Sequence, residues 1–157
     1  MQYTLTDLLK PEHILIRVEA VNAQDAIRKL SAALVDSGHV TPEFADDVWK
    51  RELTFPTGLP TQPLAVAIPH ADPDHVSRSA VCIGVLTAPL HFAQMGTNGA
   101  TVLDVRLIFL LAIKEREKQV ELIQQLISLI QNGSLLEGLA EAKDPAEAMA
   151  LIKRTLT

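Results

Sequence analysis

The sequence predicts an α/β fold, a single layered domain over residues 1–157 with a central mixed β-sheet flanked by helices on its faces. Short apolar runs rich in β-branched residues alternate along the chain with stretches whose apolar residues recur at helical spacing. With 157 residues, 48% of them hydrophobic, the chain is also long and apolar enough for one domain with a sizeable core. It contains no internal repeat or low-complexity linker that would divide it.

The first part of the chain predicts one strand and two helices. A short helical turn within residues 4–9 precedes residues 13–19, whose β-branched side chains favour a strand. Residues 22–38 begin with an asparagine N-cap, carry an apolar stripe and end at a glycine, which together predict an amphipathic helix. Residues 41–53 begin with a cap followed by proline and predict a second helix. Three prolines and a glycine make residues 54–63 a surface loop.

The remaining part predicts the rest of the sheet and its helical cover. Three apolar runs are expected to be strands, at residues 64–68, 80–86 and 102–112. Between the last two strands, residues 95–99 are loop material with a tight turn at its end. Two apolar rows along residues 114–131 predict a long core-covering helix, and a short helix is expected from Ser134. Asp144 and the proline after it begin a terminal helix.

Composition and charge exclude several classes of function. The net charge is -5, and Lys and Arg are not clustered, so we expect no nucleic-acid partner. The single cysteine, Cys82, excludes an internal disulfide and lies in an apolar run, where a buried structural thiol is expected. No apolar run approaches the ~20 residues of a membrane span, and residues 1–3 do not begin a signal peptide, so we expect a cytoplasmic protein.

The most informative stretch is the strand that ends at His70. Its apolar run lies between Pro63 and Pro69, and a proline removes one donor from the ladder of a sheet. We therefore expect strand pairing to stop at Pro69 and His70 to leave the sheet with a fixed backbone and an exposed ring. The segment after it, Asp-Pro-Asp at residues 72–74, is typical of a compact polar turn.

The histidines need separate interpretations. Three of the five are expected to have surface or packing roles: His13, His39 and His91. His70 and His75 are five residues apart, with aspartates between them as oxygen donors, which is not the usual helical spacing of a metal pair. A zinc site made by this loop stays open as a second interpretation. The sequence has no G-x-S-x-G motif, so acyl-transfer chemistry has little support.

An oriented, neutral imidazole can also accept a group and pass it on, because its unprotonated nitrogen is a nucleophile. Transfer of a phosphoryl group has three requirements. A cation must offset the charge of the phosphoryl oxygens, hydrogen bonds must hold the ring in one tautomer, and the site must be accessible to the donor and acceptor proteins. We consider phosphoryl transfer as a hypothesis for His70.

A family resemblance supports phosphoryl transfer. Residues 66–70 read Val-Ala-Ile-Pro-His and follow the Lys-Arg-Glu of residues 50–52. Together they resemble the enzyme IIA domain of the bacterial phosphoenolpyruvate-dependent sugar phosphotransferase system, in its fructose/mannitol class. Residues 55–60 and 68–76 are similar, more narrowly, to the galactitol-specific branch. The likeness covers residues 41–131, including the last strand and the helix after it.

The resemblance implies that His70 is phosphorylated by the carrier protein HPr and passes the phosphoryl group to a cysteine of enzyme IIB. The membrane component IIC is then involved indirectly, and neither a metal nor a cofactor is required. Arg51 falls on the family's active-site arginine, whose guanidinium suits phosphoryl oxygens. Mannitol-like members have a second histidine where this chain has Gln119. Either the two-histidine arrangement is absent, or His75 takes its place.

Two other functions remain open at this point. A regulatory protein of the same fold would use the phosphorylation state of His70 to control a partner. A binding module or metal hydrolase would instead be built around His70, His75 and Asp72. For phosphoryl transfer, His70 must be neutral to attack, so we expect its activity to fall as the pH drops through the usual imidazole pKa near ~6.5.

Overall fold

A computed structural model describes residues 4–156. Residues 1–3, on which the prediction about a signal peptide partly rested, lie outside this range. The strands of the described residues are β1 (Ile14–Val18), β2 (Gly58–Leu59), β3 (Ala65–Ala67), β4 (Ala80–Ala93) and β5 (Val102–Ala112). The α-helices are α1 (Ala23–Asp36), α2 (Phe44–Thr54), α3 (Arg116–Leu129), α4 (Gly133–Glu141) and α5 (Pro145–Leu156).

The strands form one five-stranded mixed sheet in the order β1-β4-β5-β3-β2. β1 is parallel to β4 and β3 is parallel to β5, whereas β4 and β5 form a long antiparallel pair. Helices α1 and α2 cover one face of the sheet, and α3, α4 and α5 cover the other, each side with its own buried apolar cluster. The predicted α/β fold, a mixed sheet between helices, is confirmed.

Helix α1 begins where the sequence predicts, because its asparagine cap forms the expected bond, whereas α2 begins at Phe44 without a side-chain cap, three residues after the predicted start at residue 41. The Asn22 side chain accepts a hydrogen bond from the backbone N–H of Asp25 at 2.9 Å, which starts α1. The Asn132 side chain accepts one from the N–H of Leu135 at 3.0 Å, which starts α4. No helix within residues 4–156 combines the length and the apolar character needed to cross a bilayer.

Two strands differ from the prediction. Residues 54–63, expected to be a loop, contain the short strand β2, whose Gly58 pairs with Ala67 of β3. The strand expected at residues 80–86 continues as β4 to Ala93, in spite of Pro89. A shift of register between Val85 and Leu90 explains the second difference, since the irregularity takes the proline out of the hydrogen-bonded ladder.

Candidate active site

His70 lies where the carboxyl ends of β3 and β5 meet. The backbone N–H of Leu111 in β5 donates to the carbonyl of Pro69 at 3.0 Å, and His70 then pairs with Leu111 in an isolated parallel bridge. The prediction that pairing stops at Pro69 is therefore wrong, because proline lacks only the N–H and its carbonyl still accepts. The expected exposure of the ring is also wrong, since His70 is only 8% exposed.

The imidazole of His70 is held in one tautomer by its own strand. Its Nδ1 lies 2.8 Å from the carbonyl oxygen of Ile68. A carbonyl carries no proton, so Nδ1–H must be the donor and Nε2 is left with its lone pair. Burial lowers the pKa of His70, and the charge of Arg51 lowers it further, against opposing effects of the Ile68 bond and Asp72. The ring is therefore neutral at pH 7.

Arg51, whose charge acts on the His70 ring, carries an unsatisfied donor. It lies in the last turn of α2, with the centre of its guanidinium 5.2 Å from the centroid of the Phe55 ring. Its Nε is buried and has no hydrogen-bond partner among the described residues, and none of the carboxylates there pairs with the guanidinium. A buried donor without a partner is costly, so this atom is available for an anionic ligand.

The loop after α2 is fixed by a buried carboxylate that the sequence did not single out. Glu52, next to Arg51, accepts hydrogen bonds from the backbone N–H of Thr57 at 2.9 Å and from its hydroxyl at 2.7 Å. Burial raises the pKa of Glu52, and the two bonds from Thr57 act in the opposite direction. Glu52 therefore connects the end of the Arg51 helix to the start of β2, which pairs with the His70 strand.

We expect the substitution Glu52→Ala to lower the free energy of unfolding by about 2 kcal/mol or more, because two buried donors of Thr57 lose their acceptor. Urea unfolding checks this value. Glu137→Ala is the matched control, since Glu137 is exposed on α4 and its loss should change stability by less than about 0.5 kcal/mol. Equal stabilities of the two variants would contradict a role of Glu52 in holding the loop.

Gln119 lies in the first part of α3, close to the segment that follows His70. Its side-chain amide donates to the carbonyl of Ala71 at 3.0 Å. One turn earlier, Arg116 forms an ion pair with Asp72 at 3.3 Å. The start of α3 is thus joined twice to the two residues after His70. Gln119 therefore lies beside the candidate site, and its part in the reaction stays a prediction.

His75 is held by α2. Its Nδ1 is hydrogen-bonded to the carboxylate of Asp47, one helical turn before Arg51. This bond raises the pKa of His75 above its ordinary value, with nearby acidic groups acting in the same direction. Since Asp47 occupies Nδ1, only Nε2 can serve another partner. Asp47 was not predicted, because nothing in the sequence indicates a contact between residues 28 positions apart.

Three further residues have purely structural surroundings. His13 and His39 are buried with their rings 4.9 Å apart, and both bind the Ser37 hydroxyl, which confirms a packing role. Cys82 is buried, and burial raises its thiol pKa to about 12, as expected of a structural thiol. No group of three or more His, Cys, Asp or Glu side chains within residues 4–156 is arranged to hold a metal ion.

The sequence profile of one family matches almost the whole chain. This family is described as "Phosphoenolpyruvate-dependent sugar phosphotransferase system, EIIA 2", and the match covers residues 7–155. The chain belongs to this family. The resemblance drawn from the motifs around His70 is thereby confirmed, and the chain is a phosphotransferase-system EIIA component of the fructose/mannitol class.

Individual relatives agree with this assignment. The chain is 25% identical over 122 residues to the galactitol-specific EIIA component of Escherichia coli (strain K12), covering 78% of this chain and 80% of the relative. Among solved structures, it is similar to a complex of enzyme IIA-mannitol with phosphorylated enzyme IIB-mannitol from Escherichia coli. That match has a TM-score of 0.77 and 25% identity, and covers 93% of this chain and 97% of the solved chain.

A third relative has a different role. Over 108 residues the chain is 28% identical to the transcriptional regulator ManR of Bacillus subtilis (strain 168). The match covers 69% of this chain but 15% of the regulator, so the EIIA-like part is a small portion of that protein. EIIA-like sequence is therefore found both in transport components and in a regulator.

Proposed function

We propose that this EIIA component accepts a phosphoryl group from HPr on Nε2 of His70 and passes it to a cysteine of enzyme IIB, which serves the membrane component IIC. The observation that carries the proposal is the pair formed by a neutral imidazole, with Nδ1 bound to the Ile68 carbonyl, and the unpartnered Nε of Arg51. The imidazole supplies a nucleophile, and the guanidinium supplies a charged hydrogen-bond donor for the phosphoryl oxygens.

The proposed reaction needs no metal or cofactor. The lone pair of His70 Nε2 attacks the phosphorus atom carried by HPr. The bond between phosphorus and the HPr nitrogen breaks, and that nitrogen keeps the electron pair of the bond. The phosphorylated ring keeps its proton on Nδ1, bonded to Ile68. In the second step the thiolate of enzyme IIB attacks phosphorus, the bond to Nε2 breaks, and His70 returns to its neutral state. Arg51 offsets the charge of the phosphoryl oxygens in both steps.

The other residues of the proposed site act on the surroundings of His70. Gln119 holds the backbone after His70 through the Ala71 carbonyl, and its amide is the uncharged group at the position where mannitol-like members have a histidine. His75 is proposed to contribute a positive charge at the rim, since Asp47 favours its protonated form. A hydrolase built around His70, His75 and Asp72 is disfavoured, because Asp47 and Arg116 already bind two of its three members.

Incubation with phosphoenolpyruvate, enzyme I and HPr tests the proposal directly. Intact-mass measurement should show one added phosphoryl group, and the adduct should be labile in acid and stable in base, as expected of a phosphohistidine. Addition of the cognate enzyme IIB should discharge it. A protein that stays unmodified under conditions that phosphorylate a known EIIA component would contradict the proposal.

A regulatory role is the second candidate function, and it is favoured by the similarity to the regulator ManR. Both candidate functions require phosphorylation of His70, so they differ only in the partner that the phosphorylated protein binds. Discharge by an enzyme IIB supports the transport role. Binding of a regulator by one phosphorylation state, with no transfer to any enzyme IIB, supports the regulatory role.

The pH dependence of phosphorylation follows from the lowered pKa of His70. A lower pKa keeps the attacking ring neutral over a wider pH range, so the fall in rate that the sequence alone placed near ~6.5 should occur only at lower pH, and the rate should stay level through ~6.5. A stopped-flow series with excess phosphorylated HPr measures this profile.

Arg51→Gln provides the control for this profile. Since the charge of Arg51 helps to lower the pKa of His70, its removal should move the fall in rate toward higher pH. Burial, the larger cause, remains in the variant, so the shift should be partial. A wild-type rate that already falls through pH 7 would contradict the assignment of a buried, neutral His70 as the nucleophile.

A further inference from the structure

A cavity lies away from His70, where β1, β4 and β5 meet the end of α4. Its volume is about 280 Å³. Four of its lining residues are charged or hydroxylated: Arg17, Thr87, Arg106 and Glu141. Its other lining residues are apolar and come from the same strands, from the end of α4 and from the residue after it. The phosphoryl-transfer chemistry proposed above uses none of these four side chains.

Irregularities in three strand ladders converge on this cavity. The β1–β4 register shifts between Leu15 and Val18, so that residues 16 and 17 together oppose Val85. The β3–β5 register shifts so that Arg106 is the extra residue between two consecutive pairs. The β4–β5 register shifts just after Val85. Bulges re-aim side chains and are common beside functional sites, and here they bring both arginines to one cavity.

Arg17 is also in a backbone conformation that is rare for its residue type. Its φ is 58°, in the left-handed region, although it lies within β1. An arginine in this region costs on the order of 1 kcal/mol or more, and such costs concentrate at ligand sites. A glycine or asparagine would relieve the strain, so the strain alone gives no reason for an arginine at this position.

The charged side chains at the cavity form no ion pairs within the described residues. Arg17 and Glu141 have no ion pair or side-chain hydrogen bond in that part of the chain. Arg106 uses only its Nε, which donates to the Leu86 carbonyl at 3.2 Å, so its two terminal amino groups are unpaired there. Thr87 donates its hydroxyl proton over 3.4 Å to the Val18 carbonyl, and its oxygen can still accept. Two guanidinium groups thus line one cavity, and neither forms an ion pair with a carboxylate of residues 4–156, although Glu141 lines the same cavity.

We propose that this cavity binds a small phosphate monoester that also carries hydroxyl groups, the chemical class of a phosphorylated polyol or sugar. Arg17 and Arg106 supply paired donors of the kind that hold a phosphate. Thr87 and Glu141 supply oxygen acceptors for the hydroxyl groups of the ligand. Inorganic phosphate has no polyol or sugar hydroxyl groups to donate to these acceptors. The volume of about 280 Å³ suits a ligand of this small size.

The cavity is separate from the proposed phosphoryl-transfer site. His70 pairs with Leu111, five residues beyond Arg106 on β5. At about 3.3 Å per residue, this separation is roughly 16 Å along the strand. Ligand binding here does not require phosphorylation of His70, so the two proposals can fail independently.

Titration of the ¹⁵N-labelled protein with sorbitol 6-phosphate tests the inference, with affinities from calorimetry. We expect saturable binding with a Kd below about 1 mM and shift changes at residues 16–17, 86–87, 106 and 141. Inorganic phosphate should bind more weakly, and sorbitol should not bind. Arg17→Asn and Arg106→Gln should each weaken binding by about tenfold or more, because each removes charge-assisted hydrogen bonds.

The variants are chosen so that folding does not obscure the result. Asparagine tolerates the left-handed backbone of residue 17, so Arg17→Asn removes the guanidinium and keeps the conformation. Lys153→Gln removes an exposed positive charge on α5 and should bind like the wild type. His70→Ala should also bind normally, which separates this site from the proposed function.

Three results would overturn the inference. Absence of saturable binding would refute the site itself. Shift changes confined to residues 70–72 would assign the ligand to the His70 site instead. Equal affinities for sorbitol 6-phosphate and inorganic phosphate would refute the role given to Thr87 and Glu141.

Discussion

Replacing His70 by alanine is expected to abolish phosphorylation by the HPr system, because the substitution removes the only atom proposed to bond to phosphorus. His70 is only 8% exposed and lies at the ends of β3 and β5, so the variant also loses some stability. Intact mass after incubation with phosphoenolpyruvate, enzyme I and HPr should show no adduct. Far-UV circular dichroism confirms that the variant is folded.

His91→Ala is the matched control for this experiment. His91 is an exposed histidine near the end of β4, paired with Asp104 at 3.1 Å, and its loss should leave the phosphorylated yield unchanged. His75→Ala should also be phosphorylated, at a reduced rate if its charge acts at the rim. An adduct of undiminished yield in folded His70→Ala would refute the central assignment.

The second large effect is expected at Arg51. Arg51→Gln should lower the rate of phosphorylation by about 10²- to 10³-fold, the usual cost of removing one preorganised donor from a site where charge develops. The amount of adduct at equilibrium should fall less than the rate. Quench-flow measurement at several concentrations of phosphorylated HPr separates weaker association from slower transfer.

Two further variants sharpen this test. Arg51→Lys keeps a positive charge without the planar fork, and it should recover part of the lost rate. Arg28→Gln removes an exposed arginine on α1 that is paired with Asp25, and it should behave like the wild type. A rate for Arg51→Gln within about twofold of the wild type would mean that the guanidinium has no part in transfer.

The fold could be predicted because its signals are local. Caps such as Asn22 and Asp144 form their bonds within three residues, and the apolar stripes that follow have one consistent period. The two-residue strand β2 was missed because its pairing with β3 depends on tertiary contact and not on its own composition. The length of β4 was underestimated because a bulge at Pro89 can be recognised only in its ladder.

The site could be predicted in part. The motif around His70 indicated the proposed nucleophile, and the resemblance indicated Arg51 and Gln119 as its candidate partners. The carboxylates that hold the surroundings, Asp47 and Glu52, were not predicted, because their partners are chosen by how α2 packs against distant or irregular segments. The burial of His70 was missed for a related reason: Pro69 was treated as the end of pairing, although its carbonyl remains an acceptor.

The bond between His70 and Ile68 has a consequence for how this protein can change. The acceptor that decides which ring nitrogen keeps the proton is a main-chain oxygen two positions earlier on the same strand. No side-chain substitution can delete that oxygen. Mutations around the site can therefore alter the rate of transfer, the affinity for partners and the choice of partner. The backbone still determines which ring nitrogen of His70 is free to react.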